Sequence, residues 1–149
     1  MKKFIFIVAI FFAISLQSCL NDDCGECFSP PTPFYFQFVD KVSGENLFTN
    51  GTLSSDDIVV LNTADGSPVQ YSFVDENDFD LLKINTIGWE TETVNYSIRV
   101  SADYLFNLGV DTERVTSGCC TYTIYNDVTI DTFEFEFDQV YGVYRIFIV

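Results

Sequence analysis

Apolar side chains occupy every second position over much of this chain, and no other feature constrains the fold as strongly. Phe34, Phe36 and Phe38 alternate with Tyr35 and Gln37. The same alternation returns along four later segments, residues 69–73, 94–100, 104–110 and 133–137. Successive side chains of a β-strand point to opposite faces of its sheet, so the pattern predicts strands with one buried face.

Turn-forming residues separate these segments. Asn50-Gly51 and the cluster at residues 65–68 are typical of tight turns between strands. No stretch has the apolar period of an amphipathic helix. About eight to ten short strands, with turn signals roughly every dozen residues, are typical of a sandwich or a barrel. We therefore expect an all-β domain: a single antiparallel β-sandwich with an Ig-like or transthyretin-like Greek key, with a small β-barrel as the alternative.

The sandwich domain is expected to span residues 34–149. Within it, residues 39–47 resemble the opening hairpin of carboxypeptidase-regulatory-like (transthyretin-type) β-sandwich domains. This similarity implies two packed sheets rather than a closed barrel. Residues 19–33 precede the domain as an acidic, proline-rich tether, in which the X-Pro bonds favour extended backbone.

The start of the chain is a segment of a different kind. Lys2 and Lys3 precede an apolar run, residues 4–16, in which Ser15 is the one polar side chain. The run is shorter than the ~20 apolar residues that cross a membrane as a helix, and it fits the core of a secretory signal. We predict a signal peptide over residues 1–18. A buried apolar helix is the alternative.

The residues that end this leader resemble the lipobox of a bacterial lipoprotein. Leu16 fills the aliphatic position, Ser18 the small position and Cys19 the position of the invariant cysteine, whereas Gln17 departs from the commonest pattern. The resemblance implies that Cys19 is acylated and becomes the N-terminus of a lipid-anchored protein. A secretory signal that is cleaved without lipidation is the alternative.

The residues after Cys19 bear on localisation. Leu20 stands where an aspartate would resemble the signal for inner-membrane retention, so the resemblance implies the outer membrane. Asp22-Asp23 is similar to the surface-export signal of Bacteroidota-type lipoproteins, although Asn21 replaces the basic or Gln-Ala element of some versions. We expect a lipid-anchored protein on the cell surface, with a periplasmic orientation as the alternative.

Four cysteines remain once Cys19 is assigned to lipid: Cys24, Cys27, Cys119 and Cys120. An exported protein meets an oxidising compartment, so disulfides are expected. Adjacent cysteines rarely bond each other, and we predict bridges between the tether pair and the later pair, with the individual pairing left open. A Cys-x-x-Cys redox centre and a four-cysteine zinc site are the alternatives.

The charge and the missing histidine exclude several functions. Loss of Lys2 and Lys3 would take the net charge from −15 to −17. A field of this sign repels nucleic acid, so we expect no nucleic-acid partner. With no histidine in the sequence, the chain lacks Ser-His-Asp and Cys-His catalysis and the H-E-x-x-H zinc motif. We predict that it is not an enzyme.

Two features suggest a ligand site. Asp75, Asn77, Asp78 and Asp80 offer the oxygen ligands that calcium prefers, but Phe79 interrupts the EF-hand pattern, and an ordinary hairpin turn is the alternative. Trp89 is the sole tryptophan, either a platform for sugar stacking or a side chain at the core margin.

Together these features predict a cell-envelope lipoprotein that acts as a non-enzymatic structural or interaction module. A small ligand-binding module for glycan or calcium is the alternative. The expected partners are the outer membrane, through the lipid, and an envelope protein or glycan. No cofactor is expected besides the covalent lipid on Cys19, with calcium as the one candidate.

Overall fold

The computed structural model describes residues 27–76 and 79–148 of the 149-residue chain. The signal peptide, the lipobox, Cys24, Asn77 and Asp78 lie outside the described residues. The described chain forms ten strands: β1 (Cys27–Phe28), β2 (Phe34–Asp40), β3 (Val59–Asn62), β4 (Ser72–Glu76), β5 (Phe79–Ile84), β6 (Glu92–Arg99), β7 (Leu105–Ser117), β8 (Cys120–Asp131), β9 (Glu134–Asp138) and β10 (Val143–Ile148). Among these residues, no helix is long and apolar enough to cross a membrane.

The strands form two packed sheets, which confirms the predicted all-β sandwich. Sheet one has the order β1-β8-β7-β6-β3, and sheet two has the order β4-β5-β2-β10-β9. The alternating apolar positions of β2, β6 and β7 are buried between the sheets, whereas the predicted strand at residues 69–73 is only partly formed, because β4 begins at Ser72. The predicted period of two is therefore the pattern that builds the core.

The sheets are mixed, and the prediction of purely antiparallel pairing was wrong. The last strand, β10, runs parallel to β2 and places Tyr144 beside Phe36. The short β1 runs parallel to β8, with Cys27 beside Cys120. Residues far apart in sequence make both pairings, as parallel strands need long connections. Alternation alone cannot reveal strand direction, because parallel and antiparallel strands both turn alternate side chains to one face.

Aromatic side chains join the two sheets. Phe36 and Phe38 of β2 and Phe106 of β7 are all fully buried. The ring centroids of Phe36 and Phe106 lie 6.0 Å apart, and those of Phe38 and Phe106 lie 5.9 Å apart, both in tilted contacts. Burial of each such side chain contributes about 1.5–3 kcal/mol. The centre of the sandwich therefore supports the strands that carry the site described below.

The β7–β8 hairpin is the longest element. Its strands pair from Asn107–Asp131 to Ser117–Cys120, with a bulge at Asp111/Thr112. Gly118 adopts a positive φ of 60° at the tip, a conformation that glycine accepts without strain. The N-terminal segment pairs with this hairpin near its tip, at Cys120 and Thr121.

Candidate functional site

The sandwich is open along one side. Thr132, with a positive φ of 89°, turns the chain from β8 in sheet one directly into β9 in sheet two, so both strands lie on that side. β9 is the last strand of its sheet, and β8 is followed only by the two-residue β1. Beyond Thr121, the outer edge of β8 pairs with no strand of the described chain.

Two phenylalanines of β9 face inward and are nevertheless exposed. Phe135 pairs with Ile146 and Phe137 with Tyr144, so both lie on the core face of sheet two. Ile146 is fully buried, but Phe135 is 40% and Phe137 45% exposed. The cause is the width of sheet one: beyond β8 it has only the two-residue β1, so no strand of comparable length in the described chain covers β9.

An aromatic cleft of about 210 Å³ lies in this opening. Its walls come from the segment before β2, from β8, and from the β9–β10 hairpin: Thr32, Pro33, Phe34, Tyr125, Val128, Phe137, Gly142 and Tyr144. The ring of Tyr144 stacks on Phe34 at 5.9 Å and contacts Phe137 at 4.7 Å between centroids. Tyr125 meets Phe34 edge-on at 5.4 Å. These mutual contacts hold the rings in place around the cleft.

The cleft contains two tyrosine hydroxyls. Burial raises the pKa of both Tyr125 and Tyr144, so each hydroxyl stays protonated at neutral pH. The Tyr125 hydroxyl donates to the Thr32 carbonyl at 3.0 Å, which ties β8 to the segment before β2. Its oxygen can still accept a hydrogen bond from a ligand. The site therefore combines apolar walls with a small polar component, a common composition for binding sites.

The charged side chains on this side of the sandwich are mostly acidic. β8 and β9 carry five acids, Asp127, Asp131, Glu134, Glu136 and Asp138, and the sequence has no Lys or Arg between Arg114 and Arg145. Lys41 reaches this side from another loop and forms an ion pair with Glu134, with 2.9 Å between Nζ and Oε1. The register places Glu134, Glu136 and Asp138 on the face of β9 opposite Phe135 and Phe137, where Glu136 also pairs with Arg145. Asp127 and Asp131 lie on the outer face of β8 along its open edge, and this acidic rim generates a negative potential there.

A second aromatic group lies where the N-terminal segment meets the hairpin. Phe28 stacks on Trp89 with 6.0 Å between ring centroids, and the guanidinium of Arg114 lies 5.1 Å from the Phe28 centroid. Trp89 is 51% exposed, and its indole Nε1 donates to the Asn85 carbonyl at 2.8 Å. Trp89 is thus a surface residue with Phe28 stacked against it, rather than a core residue.

The cysteines fasten the N-terminal segment to the hairpin tip. Cys27 and Cys120 form a disulfide, which is one of the cross-pairs that the sequence left open. Cys119 is also disulfide-bonded. Beyond the bridge, the Ser29 amide donates to the Thr121 carbonyl at 3.0 Å, and Arg114 Nη1 donates to the Ser29 carbonyl at 3.1 Å. The segment is therefore held to β8 both covalently and by hydrogen bonds.

The acidic turn at residues 75–80 is described only in part. Asp75 pairs with Asp80 across the β4–β5 hairpin, and Asp80 accepts a hydrogen bond from the Thr49 hydroxyl at 2.5 Å. Within the described ranges, no group of three or more His, Cys, Asp or Glu side chains is arranged to hold a metal. Since Asn77 and Asp78 lie outside those ranges, the calcium site stays a prediction.

Two carboxyl groups have lowered pKa values for local reasons. Hydrogen bonds from Ser43, and then from the Val42 amide, lower the pKa of Asp40. Hydrogen bonds from the Ser67 side chain and amide lower the pKa of Asp65. Asp40 ends β2 just before a turn and Asp65 lies within a turn, two places where aspartate commonly accepts such bonds. Their shifts are explained by turn structure.

No protein-family model, curated protein or solved structure matches this chain. The function is therefore inferred from the site itself. None of the residues that line the cleft was predicted as a site residue, because their exposure depends on which strands end the two sheets.

Proposed function

We propose that this protein is an outer-membrane lipoprotein, anchored through Cys19, whose sandwich acts as a non-enzymatic interaction module. Its binding surface is the aromatic cleft on the open side. The observation that carries the proposal is the exposure of Phe135 and Phe137 on the core face of sheet two. Inward-facing aromatic side chains that lack a covering strand favour a partner that covers them.

The volume of the cleft favours binding of side chains from a larger partner over storage of a free small molecule. A volume of about 210 Å³ is below the roughly 300–1,000 Å³ of sites that enclose drug-sized ligands. It suits one or two side chains from a larger partner. Exposed aromatic residues such as Phe137 and Tyr144 are also the side chains that contribute most at protein interfaces.

The position of Cys27 supports a defined orientation. Cys19 and Cys27 are eight residues apart in sequence, which spans at most about 29 Å when extended. Because Cys27 is bonded to Cys120, a lipid on Cys19 would keep the hairpin tip close to the membrane. Tyr125 lies five residues further along β8, at roughly 17 Å, so the cleft would open sideways above the membrane.

Glycan binding is the second candidate. Trp89 and Phe28 form an exposed aromatic pair, and such surfaces can stack against sugar rings. A glycan titration followed by the fluorescence of Trp89 would test this candidate. No change in the presence of envelope glycans would count against it.

The anchor is tested by acyl labelling of whole cells that express wild type or Cys19→Ala. We expect labelled wild type that protease removes from intact cells, and an unlabelled variant. Labelled protein that is protected from protease would place the domain in the periplasm. Unlabelled wild type would refute the anchor.

The cleft is tested by photo-crosslinking in the same cells. A photoreactive amino acid replaces either Phe137 or, as a control, Val42, which is 93% exposed in a turn of the described chain. We expect a discrete adduct from position 137 that is absent from position 42 and is lost when Cys19→Ala removes the anchor. Equal adducts from the two positions, or no adduct from position 137, would contradict a role for the cleft.

A further inference from the structure

The outermost strand of sheet one, β1, has only two residues and forms the start of a row beside β8. β1 pairs with β8 only at Cys120 and Thr121, and the chain then leaves the edge toward β2. From Tyr122 to Asp131 the outward edge of β8 has no strand neighbour in the described chain. An unpaired edge presents a row of backbone donors and acceptors. The hydrogen bond from the Ser29 amide to the Thr121 carbonyl, at 3.0 Å, shows that this edge already accepts such a bond.

A strand in this row would lie opposite β9. It would extend sheet one over Phe135 and Phe137, which lack a covering strand among the described residues. Alternate side chains of the added strand would point into the aromatic cleft. A cavity of about 150 Å³ holds benzene, so the cleft of about 210 Å³ has room for one aromatic side chain.

The charge of the rim selects among possible occupants. Asp127 and Asp131 lie on the outer face of β8 beside the open edge, and Asp127 pairs with a further acid, Asp111 of β7. A second copy of this chain, paired edge to edge, would bring the same acids together, and like charges across an interface are unfavourable. The chain's own tether is also acidic, with Asp22, Asp23 and Glu26. A segment rich in Lys or Arg complements this rim.

We propose that the open side binds an extended basic polypeptide segment, which adds to β8 as a strand in the row that β1 begins. Lysine or arginine side chains face the acidic rim, and the alternate aromatic or aliphatic side chains fill the cleft. This inference rests on the proposed function and names the chemistry of the partner. Strand addition of this kind obtains affinity from backbone hydrogen bonds and specificity from alternate side chains.

The test is a binding titration of the full chain, solubilised in detergent micelles, with a short synthetic peptide that alternates lysine with phenylalanine. Fluorescence anisotropy of the labelled peptide gives the affinity, and amide hydrogen exchange gives the location. We expect binding that weakens as salt is added, together with slower exchange in β8 from Tyr122 to Asp131. Two further peptides keep the length: one has glutamate for lysine, and the other has N-methylated alternate amides.

Matched variants separate the contribution of the rim charges to peptide binding from the contribution of the cleft wall. Asp127→Lys combined with Asp131→Lys reverses charge at the rim, and we expect several-fold weaker binding. Asp56→Lys combined with Asp57→Lys makes the same change in an exposed turn before β3, at the opposite edge of sheet one, and should leave the affinity unchanged. Phe137→Ser removes a cleft wall and should abolish slower exchange in β8. Its thermal unfolding, compared with wild type, shows whether it is folded.

The three peptides and the crosslinking result together test strand addition and the charge preference. Equal binding of the N-methylated peptide would overturn strand addition, and equal binding of the glutamate peptide would overturn the charge argument. If no peptide binds but position 137 still gives its adduct on cells, the inference is wrong and the proposed function stands. If no peptide binds and no adduct forms, both are wrong.

Discussion

Burial changes the acidity of three tyrosines, and this should appear in the stability of the protein at alkaline pH. Burial raises the pKa of Tyr96, Tyr125 and Tyr144 above the ordinary value of 10.0. Since the unfolded chain then loses these protons first, their contribution to stability is complete below about pH 10 and disappears as pH rises through the folded pKa values.

We expect the melting temperature to fall above about pH 10, with a shallower fall for Tyr144→Phe, which keeps the ring and removes the hydroxyl. Thermal unfolding recorded over a series of alkaline pH values measures this directly. If the melting temperature of the variant falls with pH as steeply as that of wild type, Tyr144 does not contribute to the alkaline loss of stability.

Thr112 is a buried polar side chain of β7 opposite the bulge of β8. Its hydroxyl lies 3.1 Å from the carbonyls of both Glu90 and Glu92, and the side chain is 1% exposed. Thr112→Val removes these bonds and keeps the shape, so we expect the free energy of unfolding to fall by about 1 kcal/mol. Chemical denaturation measures the loss. The exposed Thr93→Val serves as the control and should change stability little.

At the level of elements, the strands were predictable and their partners were not. The alternation of Phe34, Phe36 and Phe38 became β2, and the alternation at residues 133–137 gave β9. The later strand β8 is long and carries the extra residue of a bulge, Asn126, between its pairs with Asp111 and Thr112. Pairing between β2 and β10 depends on contacts between the two ends of the domain, which local periodicity does not encode.

The Cys27–Cys120 disulfide links the tether to the hairpin and closes a loop with a sequence separation of 93. Cys119 is disulfide-bonded as well. Under the proposed acylation of Cys19, the sequence offers Cys24 as the partner of Cys119, and this second bridge would share the same loop. We expect a non-reducing peptide map to show Cys24 joined to Cys119. A Cys24–Cys27 peptide would contradict this arrangement.

Because a Cys24–Cys119 bridge would close nearly the same loop as Cys27–Cys120, we expect the effects of the two bridges on stability not to add. We expect Cys27→Ala with Cys120→Ala to cost little while the other bridge persists, and removal of all four cysteines to cost up to about 4–5 kcal/mol. Chemical denaturation of the two variants gives the comparison. Two equal and additive losses would show that the bridges constrain different loops.

For the whole molecule, composition and periodicity predicted two apolar faces and an acidic surface. They did not predict the cleft, because its exposure arises where sheet one ends before it covers β9. One signal was present in the sequence: the stretch between Arg114 and Arg145 has acids, five of them on β8 and β9, and no base. Asp127 and Asp131 of this stretch lie on the outer face of β8, beside the open edge.

The central claim is that a lipid on Cys19 holds the hairpin tip toward the membrane and leaves the open side free. Trp89, the single tryptophan, stacks on Phe28 beside this tip and can report the distance. Val42 follows β2 at the far end from Phe34, roughly 20–25 Å along the strand. A Trp89→Phe, Val42→Trp variant therefore moves the reporter away from the membrane.

The measurement is energy transfer from tryptophan to a labelled headgroup lipid, with the acylated chain reconstituted in vesicles. We predict strong transfer from Trp89 in wild type, weaker transfer from position 42, and no vesicle binding by Cys19→Ala. Equal transfer from the two positions, stronger transfer from position 42, or vesicle binding without Cys19 would contradict the account.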